Sequence, residues 1–182
     1  MVEPGRESAV LLTGAYGSGK SSVAAEIADI LEMRGSAYAY LDLDFFSWAG
    51  TPQISATPGD ALLLANLAAV MPNFRAVGVR FYVLAYSVRD RAELEAIRST
   101  LGCDVSVVRL VVPIEEIRRR LAADVTSGRL DDLRVAERWL AAGTGEGLEH
   151  VAVRGERPVR EIATEIVGWL GWDDEGATPG DG

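Results

Sequence analysis

One short segment, Gly14 to Ser21 (GAYGSGKS), constrains this 182-residue chain more than any other. It fits the pattern G-x-x-x-x-G-K-[ST], in which glycines let successive backbone N–H groups point inward around a phosphate. The apolar run Ser8 to Thr13 precedes it, and apolar residues recur at helical spacing from Ser21 to Arg34. Because the pattern requires a strand before the loop and a helix after it, a phosphate-binding loop is predicted here.

The residue types in the loop indicate which phosphates it binds. In this pattern the Lys20 ammonium reaches the β- and γ-phosphates of a nucleotide, and the Ser21 hydroxyl ligates Mg²⁺. Lys20 is the only lysine among 18 basic residues, and a lysine is a compact charge where the broad guanidinium fork does not fit. We therefore predict ATP and Mg²⁺ as cofactors. The predicted nucleotide-binding residues are Gly14, Ala15, Tyr16, Gly17, Ser18, Gly19, Lys20, Ser21 and Ser22.

Strands and helices alternate along the rest of the chain. This alternation is typical of an α/β fold, and we predict a five-stranded parallel sheet with helices on both faces. Residues 1–172 are expected to form one domain with a small lid over about 118–138, and 173–182 a disordered acidic tail. Further strands are predicted over 37–41, 78–85, 105–112 and 148–153, and helices over 60–71, 90–101, 131–142 and 158–170, with another beginning at Pro113.

The composition restricts the possible partners. The net charge is −9 and the isoelectric point about 4.7, so the chain as a whole is poorly suited to bind nucleic acid or an anionic membrane. No apolar run reaches the ~18 residues that a membrane-spanning helix needs. The first residues also lack the pattern of a cleavable signal peptide. We expect a cytoplasmic protein that is a monomer or a homodimer.

Two aspartates, Asp42 and Asp44, are the candidate catalytic carboxylates. They follow the second predicted strand, and residues two apart on a strand point to the same side. In a parallel sheet, groups at the carboxyl ends of the strands line the ligand crevice. Asp42 is predicted to join Ser21 in the Mg²⁺ shell and Asp44 to act as the base, although the two roles can be exchanged. The alternative is that both aspartates only cap a turn.

The third predicted strand, 78–85, carries no aspartate or glutamate. A motor or a helicase usually has an acidic residue at the end of this strand. The absence of such a residue favours a kinase over motor-type enzymes, and it leaves the aspartates after the second strand as the carboxylates available to the site.

The predicted lid is rich in arginine. Phosphoryl transfer gains from cations placed over the transferring group, and a mobile lid can supply them. Arg120 and Arg129 are predicted to have this catalytic role, with 126–129 as the mobile part. The alternative is that Arg119 and Arg120 pair with the glutamates four residues earlier on a solvent-exposed helix.

Three aromatic residues, Phe45, Phe46 and Trp48, follow the aspartate pair directly. They can wall a substrate pocket for a molecule with a planar or apolar part. Equally, they can belong to the hydrophobic core, and the sequence does not favour one of these interpretations over the other.

The segments GSGKSS and YLDLD together resemble adenylylsulfate kinase and its small P-loop kinase relatives. In that family the second strand ends in L-D-G-D-N, and Asp42 and Asp44 fall in the register of its two aspartates. The glycine of that motif is replaced by Leu43, and the residues after the second aspartate also differ. The likeness continues more weakly with Asn66 on a helix, Arg89 after a strand and Arg120 on the helix opened by Pro113.

A similar layout with an aspartate base occurs in gluconate kinase and chloramphenicol phosphotransferase. The resemblance therefore implies a kinase that moves the γ-phosphate of ATP to a hydroxyl of a small molecule. It adds Asn66 and Arg89 to the aromatic residues as candidates for lining the acceptor site. The alternative function is a nucleotide-binding regulatory NTPase, in which turnover depends on a protein partner rather than on an acceptor.

Overall fold

The computed structural model of the chain describes residues 6–50, 59–123 and 129–173. Its strands are β1 (Ser8–Thr13), β2 (Tyr38–Asp42), β3 (Phe81–Ala85), β4 (Asp104–Val111) and β5 (Val151–Arg154). All strand pairs are parallel, and the order across the sheet is β2-β3-β1-β4-β5. The predicted five-stranded parallel sheet is thereby confirmed.

Helices cover both faces of this sheet, as predicted. The helices are α1 (Lys20–Met33), α2 (Asp44–Ser47), α3 (Gly59–Ala76), α4 (Arg91–Leu101), α5 (Ile114–Ala123), α6 (Arg129–Ala141) and α7 (Val159–Leu170). Residues of α1 and α7 pack on one face, and residues of α3 and α4 pack on the other. Within the described ranges, none of the helices is both long and apolar enough to cross a membrane.

The central strand β1 places the phosphate-binding loop. All its residues are buried, and it pairs with β3 on one side and β4 on the other. An almost continuous apolar run is what a strand covered on both faces requires. Leu12 lies level with Ala85 of β3, and Asp42 of β2 also lies level with Ala85. The end of β2 therefore lies at the same edge of the sheet as the start of the loop.

Helix α3 continues past the proline at which it was expected to end. It runs from Gly59 to Ala76 with Pro72 inside it, whereas the sequence predicted a helix over 60–71. A proline within a helix costs about 3 kcal/mol because it removes a hydrogen bond and crowds the preceding turn. Met71 is buried and Phe74 packs against the same core beyond the proline. We attribute the continuation to this packing.

The helices α5 and α6 form a small layer over the phosphate-binding loop. Ala15 of the loop joins the buried cluster that Ile117, Leu121 and Ala136 make between these helices. They correspond to much of the predicted lid. Residues 124–128 of the lid, which include most of its expected mobile part, lie outside the described residues, as do 174–182 of the expected tail.

Trp172 packs in the core with residues of α1 and α7, and replacing it tests this packing. Its side chain is 1% exposed and its ring centroid lies 4.9 Å from that of Phe81. We expect Trp172→Ala to lower the free energy of unfolding by about 3–5 kcal/mol, measured by urea denaturation. Trp169→Ala is the matched control, because Trp169 is 46% exposed and its loss is expected to change stability by less than about 0.5 kcal/mol. Equal losses in the two variants would contradict the packing described here.

Candidate active site

The loop between β1 and α1 is shaped by glycines. Gly14, Gly17 and Gly19 have φ angles of 141°, 76° and 97°. At Gly14 a Cβ would also approach the Leu110 carbonyl oxygen to 2.7 Å, so the first position of the loop accepts only glycine. No side chain caps the N-terminus of α1, and its first turn has no acidic residue. Its N–H groups and partial positive charge are therefore available to an anion.

The Lys20 side chain lies inside the loop. It is 6% exposed, and its Nζ donates to the carbonyl oxygens of Gly14 at 3.3 Å and Ala15 at 3.2 Å. Desolvation lowers the pKa of Lys20 to about 8, against the opposing influence of Asp44 and Asp42. Burial disfavours the charged form of the Lys20 side chain, and a bound phosphate would favour that form again.

Asp42 is held at the end of β2 by two donors. The Ser21 Oγ donates to Asp42 Oδ2 at 2.6 Å, and the Asp44 backbone N–H donates to Asp42 Oδ1 at 3.3 Å. Mg²⁺ is usually bound by one or two protein oxygens together with waters and substrate phosphates. The Ser21 hydroxyl and the Asp42 carboxylate are adjacent oxygen ligands beside the loop, and this donor set fits Mg²⁺.

The sequence suggested that Asp44 continues β2, but in the structure Asp44 begins the short helix α2. The chain turns at Leu43, whose side chain is buried and whose N–H donates to the Ala85 carbonyl oxygen at 3.0 Å. The φ of Leu43 is −72°, so this position does not need a glycine. Desolvation raises the pKa of the Asp44 carboxyl, Lys20 opposes this, and Asp42 raises it further.

Both aspartates face a cleft of about 860 Å³ above the loop. Most of the predicted site residues meet here, because the loop, α2 and α5 all border this cleft. Four of its residues were not predicted, and they come from elements distant in sequence: Ser87, Leu121, Val135 and Trp139. The predicted residues among its walls are Tyr16, Gly17, Gly19, Lys20, Ser21, Ser22, Asp42, Asp44, Phe45, Trp48 and Arg120.

Ser87 stands two residues beyond the end of β3. Its Oγ donates to the Gly14 carbonyl oxygen at 3.0 Å. Ser87 therefore supports the loop from the neighbouring strand and reaches the cleft at the same time. The only signal of it in the sequence is its position directly after a buried strand.

Three candidates for the acceptor site have structural contacts instead of lining this cleft. Phe46 packs against the core, and Asn66 on α3 donates its side-chain amide to the Phe46 carbonyl oxygen at 2.7 Å. Arg89 forms ion pairs with Glu93 at 2.7 Å and with Asp60 at 2.5 Å. Asn66 thus holds α2 in place, and Arg89 joins the starts of α3 and α4.

Arg120 borders the cleft, and its guanidinium makes structural contacts. Its Nε donates to Glu116 at 2.7 Å, as the alternative interpretation expects. Its Nη1 donates to the Ser18 carbonyl oxygen at 2.9 Å, and its Nη2 donates to the Gly155 carbonyl oxygen at 2.6 Å. The guanidinium therefore ties α5 to the loop and to the segment before α7. Arg129 begins α6, but its side chain lies outside the described residues.

A second hollow, of about 470 Å³, lies behind the loop. The loop, α5 and the connection between β5 and α7 form its walls, and Pro158 is part of that connection. Gly19, Ser22 and Arg120 border both this hollow and the main cleft. An elongated ligand with phosphates in the loop can therefore extend into the second hollow.

The architecture agrees closely with those of solved kinases. A sugar kinase from Janibacter sp. HTCC2649 has a TM-score of 0.65 at 21% identity, covering 95% of this chain and 99% of that one. A gluconokinase from Sinorhizobium meliloti 1021 gives 0.60 at 22%, with 93% of each chain covered. The APS kinase of Mycobacterium tuberculosis, solved with AMPPNP and APS, gives 0.59 at 22%, with 92% of this chain and 99% of that one covered.

The chain has the fold of the small P-loop kinases. No family model matches it, and no curated protein matches its sequence. At these identities the structural likeness establishes the fold, and the resemblance to adenylylsulfate kinase and gluconate kinase is confirmed at that level.

The lowered pKa of Lys20 predicts proton uptake when a nucleotide binds. With a pKa of about 8 in the free protein, roughly half of the Lys20 side chains are neutral at pH 8 and must be protonated to pair with phosphate. We expect Mg·ATP to take up about half a proton at pH 8 and almost none at pH 6.5. Calorimetry in buffers of different ionisation enthalpy measures this uptake in the absence of an acceptor.

Lys20→Arg is the control for this measurement. Its guanidinium stays charged at both pH values, so we expect weaker binding without proton uptake. Equal uptake at pH 6.5 and pH 8 in the wild-type protein, or full uptake in the variant, would contradict the assignment of the proton to Lys20.

Proposed function

We propose that this protein is an ATP- and Mg²⁺-dependent phosphotransferase that moves the γ-phosphate to a hydroxyl of a small molecule. The observation that carries the proposal is the arrangement of charges in one cleft. The buried Lys20 ammonium, the Ser21–Asp42 pair and the Asp44 carboxylate all border it. These are the parts that phosphoryl transfer needs, namely a phosphate cradle, metal ligands and a base.

The nucleotide is proposed to span the two hollows. Its phosphates lie in the loop against the first turn of α1, with Lys20 at the β- and γ-phosphates. The base of the nucleotide extends past Arg120 into the hollow beside Pro158. Ser21 and Asp42 would hold Mg²⁺, which, when bound, offsets the negative charge of the phosphates.

Asp44 is proposed as the general base. Its raised pKa makes it a stronger proton acceptor than an ordinary carboxylate. Its backbone N–H donates to Asp42 and its backbone carbonyl oxygen accepts from the Ser47 hydroxyl, while the residue borders the cleft. In the transfer, Asp44 takes the proton of the acceptor hydroxyl as that oxygen bonds to the γ-phosphorus. The bond between this phosphorus and the β–γ bridging oxygen breaks, and ADP leaves.

The size of the cleft supports a kinase over a regulatory NTPase. Beyond the loop, the cleft continues along α2 to Phe45 and Trp48. A switch that only hydrolyses its nucleotide has no need for such a space next to its carboxylates, whereas a kinase needs it for the acceptor.

A screen of hydroxyl compounds tests the proposal. ADP release is measured with Mg·ATP and each compound in turn, and the phosphorylated product is identified by mass. We expect one class of acceptor to accelerate ADP release with one phosphate gained per ADP formed. Acceleration by a protein partner with no phosphorylated product would instead support the regulatory NTPase.

The two aspartates are expected to differ when each is replaced by asparagine. Asp44→Asn should keep Mg·ATP affinity and lose about 10²–10⁴-fold in transfer, because it removes the proton acceptor. Asp42→Asn should weaken Mg·ATP binding as well, since it alters the carboxylate that Ser21 and Mg²⁺ share. Calorimetry and steady-state kinetics separate these effects.

Asp29→Asn is the matched control, because Asp29 is exposed on α1 and does not border the cleft. It should leave both binding and transfer unchanged. If Asp44→Asn transferred phosphate at the wild-type rate, or if the two cleft variants exchanged their behaviour, the proposed roles would be wrong.

A further inference from the structure

An exposed pair of aromatic rings borders the acceptor end of the cleft. Phe45 is 65% exposed and Trp48 is 78% exposed. Their rings are stacked, with centroids 5.5 Å apart and planes inclined by 19°. Large apolar side chains are usually buried, and an exposed aromatic pair within a cleft is typical of a ligand-binding surface.

The placement of this pair is fixed by the fold. Phe45 directly follows Asp44 on α2, and α2 is held to α3 by the hydrogen bond from Asn66. Phe46, between the two aromatic residues, packs into the core and anchors the helix. The rings are therefore presented at a set position beside the proposed base.

Apolar side chains also border the cleft on the α5 and α6 side. Leu121 comes from α5, and Val135 and Trp139 come from α6. Val135 is 42% exposed although it is apolar. A molecule between the two sides would meet apolar surface on both.

Among the described residues that line the cleft, the cations are Lys20 and Arg120. Lys20 serves the nucleotide phosphates in the proposed function. Arg120 already donates to Glu116 and to two backbone carbonyl oxygens. The described walls therefore offer no further cation to a carboxylate, sulfate or phosphate on the acceptor, whereas Asp42 and Asp44 would repel such a group.

We propose that the acceptor is an uncharged alcohol carrying a planar apolar group, which stacks on the Phe45–Trp48 pair while its hydroxyl reaches Asp44. This inference rests on the proposed function and names the class of its acceptor. Rings gain from stacking in addition to the area they bury, so the pair contributes selectivity as well as affinity. An anionic polyol would lack both the stacking and a counter-ion.

An aryl glucoside and two compounds that each differ from it in one group test the proposal. Binding of 4-nitrophenyl β-glucoside, methyl β-glucoside and 4-nitrophenyl β-glucuronide is measured by calorimetry, with and without Mg·ADP. We expect the aryl glucoside to bind about tenfold more tightly than the methyl glucoside, from stacking. The glucuronide should bind more weakly than the aryl glucoside, because its carboxylate faces the two aspartates.

Two variants assign this preference to the aromatic pair. In Trp48→Ala the aryl preference should fall to about twofold or less, while Mg·ADP affinity is unchanged. Trp169→Ala, which removes an exposed tryptophan on α7 away from the cleft, should keep the full preference.

The inference would be overturned if the wild-type protein showed no preference for the aryl glucoside. It would also be overturned if Trp48→Ala kept this preference, or if Trp169→Ala lost it to the same extent. Tighter binding of the glucuronide would also overturn it. Failure of the proposed function is a separate result, because it would appear as the absence of a phosphorylated product in the acceptor screen, whereas the glucoside preference is a binding measurement that is also made without nucleotide.

Discussion

The carbonyl oxygen of Gly14 is the point on which the geometry of the site depends. It accepts hydrogen bonds from Lys20 Nζ and from Ser87 Oγ, and so joins the start of the loop to its own lysine and to the end of β3. One residue earlier, the Thr13 hydroxyl accepts the N–H of Val88. Because β1 is buried between β3 and β4, these bonds hold the loop in position through the backbone. Donors fixed in this way need little reorganisation when an anion binds.

Local pattern was sufficient to predict the loop, the parallel sheet and the approach of Asp42 to Ser21, because each follows from a motif or from strand ends meeting at one edge. The four-residue helix that begins at Asp44 was missed, since it is too short to show a helical period. Pro72 indicates a helix end in the sequence, and the packing that continues α3 past it is a tertiary effect that local pattern does not show. Ser87 and Trp139 reach the cleft from distant elements, and local pattern does not identify them as site residues, although Ser87 follows a buried strand.

The arginines of this chain illustrate why a count of cations does not define a site. The guanidinium of Arg120 satisfies three acceptors on three different elements, which the single ammonium of a lysine cannot do with the same planar geometry. Arg89 similarly joins the helices that carry Asp60 and Glu93. Arginine serves here to connect elements, whereas the one lysine occupies the narrow loop in which a compact charge is needed.

The three ionisable groups of the cleft act on one another, so their roles are not independent. Asp42 raises the pKa of Asp44, and Lys20 lowers it. Both aspartates in turn favour the charged form of Lys20 against its burial. A substitution at Asp42 therefore alters the metal ligands and also lowers the basicity of Asp44. Effects of replacing such coupled groups are not additive, and a double variant of Asp42 and Asp44 should lose less than the product of the two single losses.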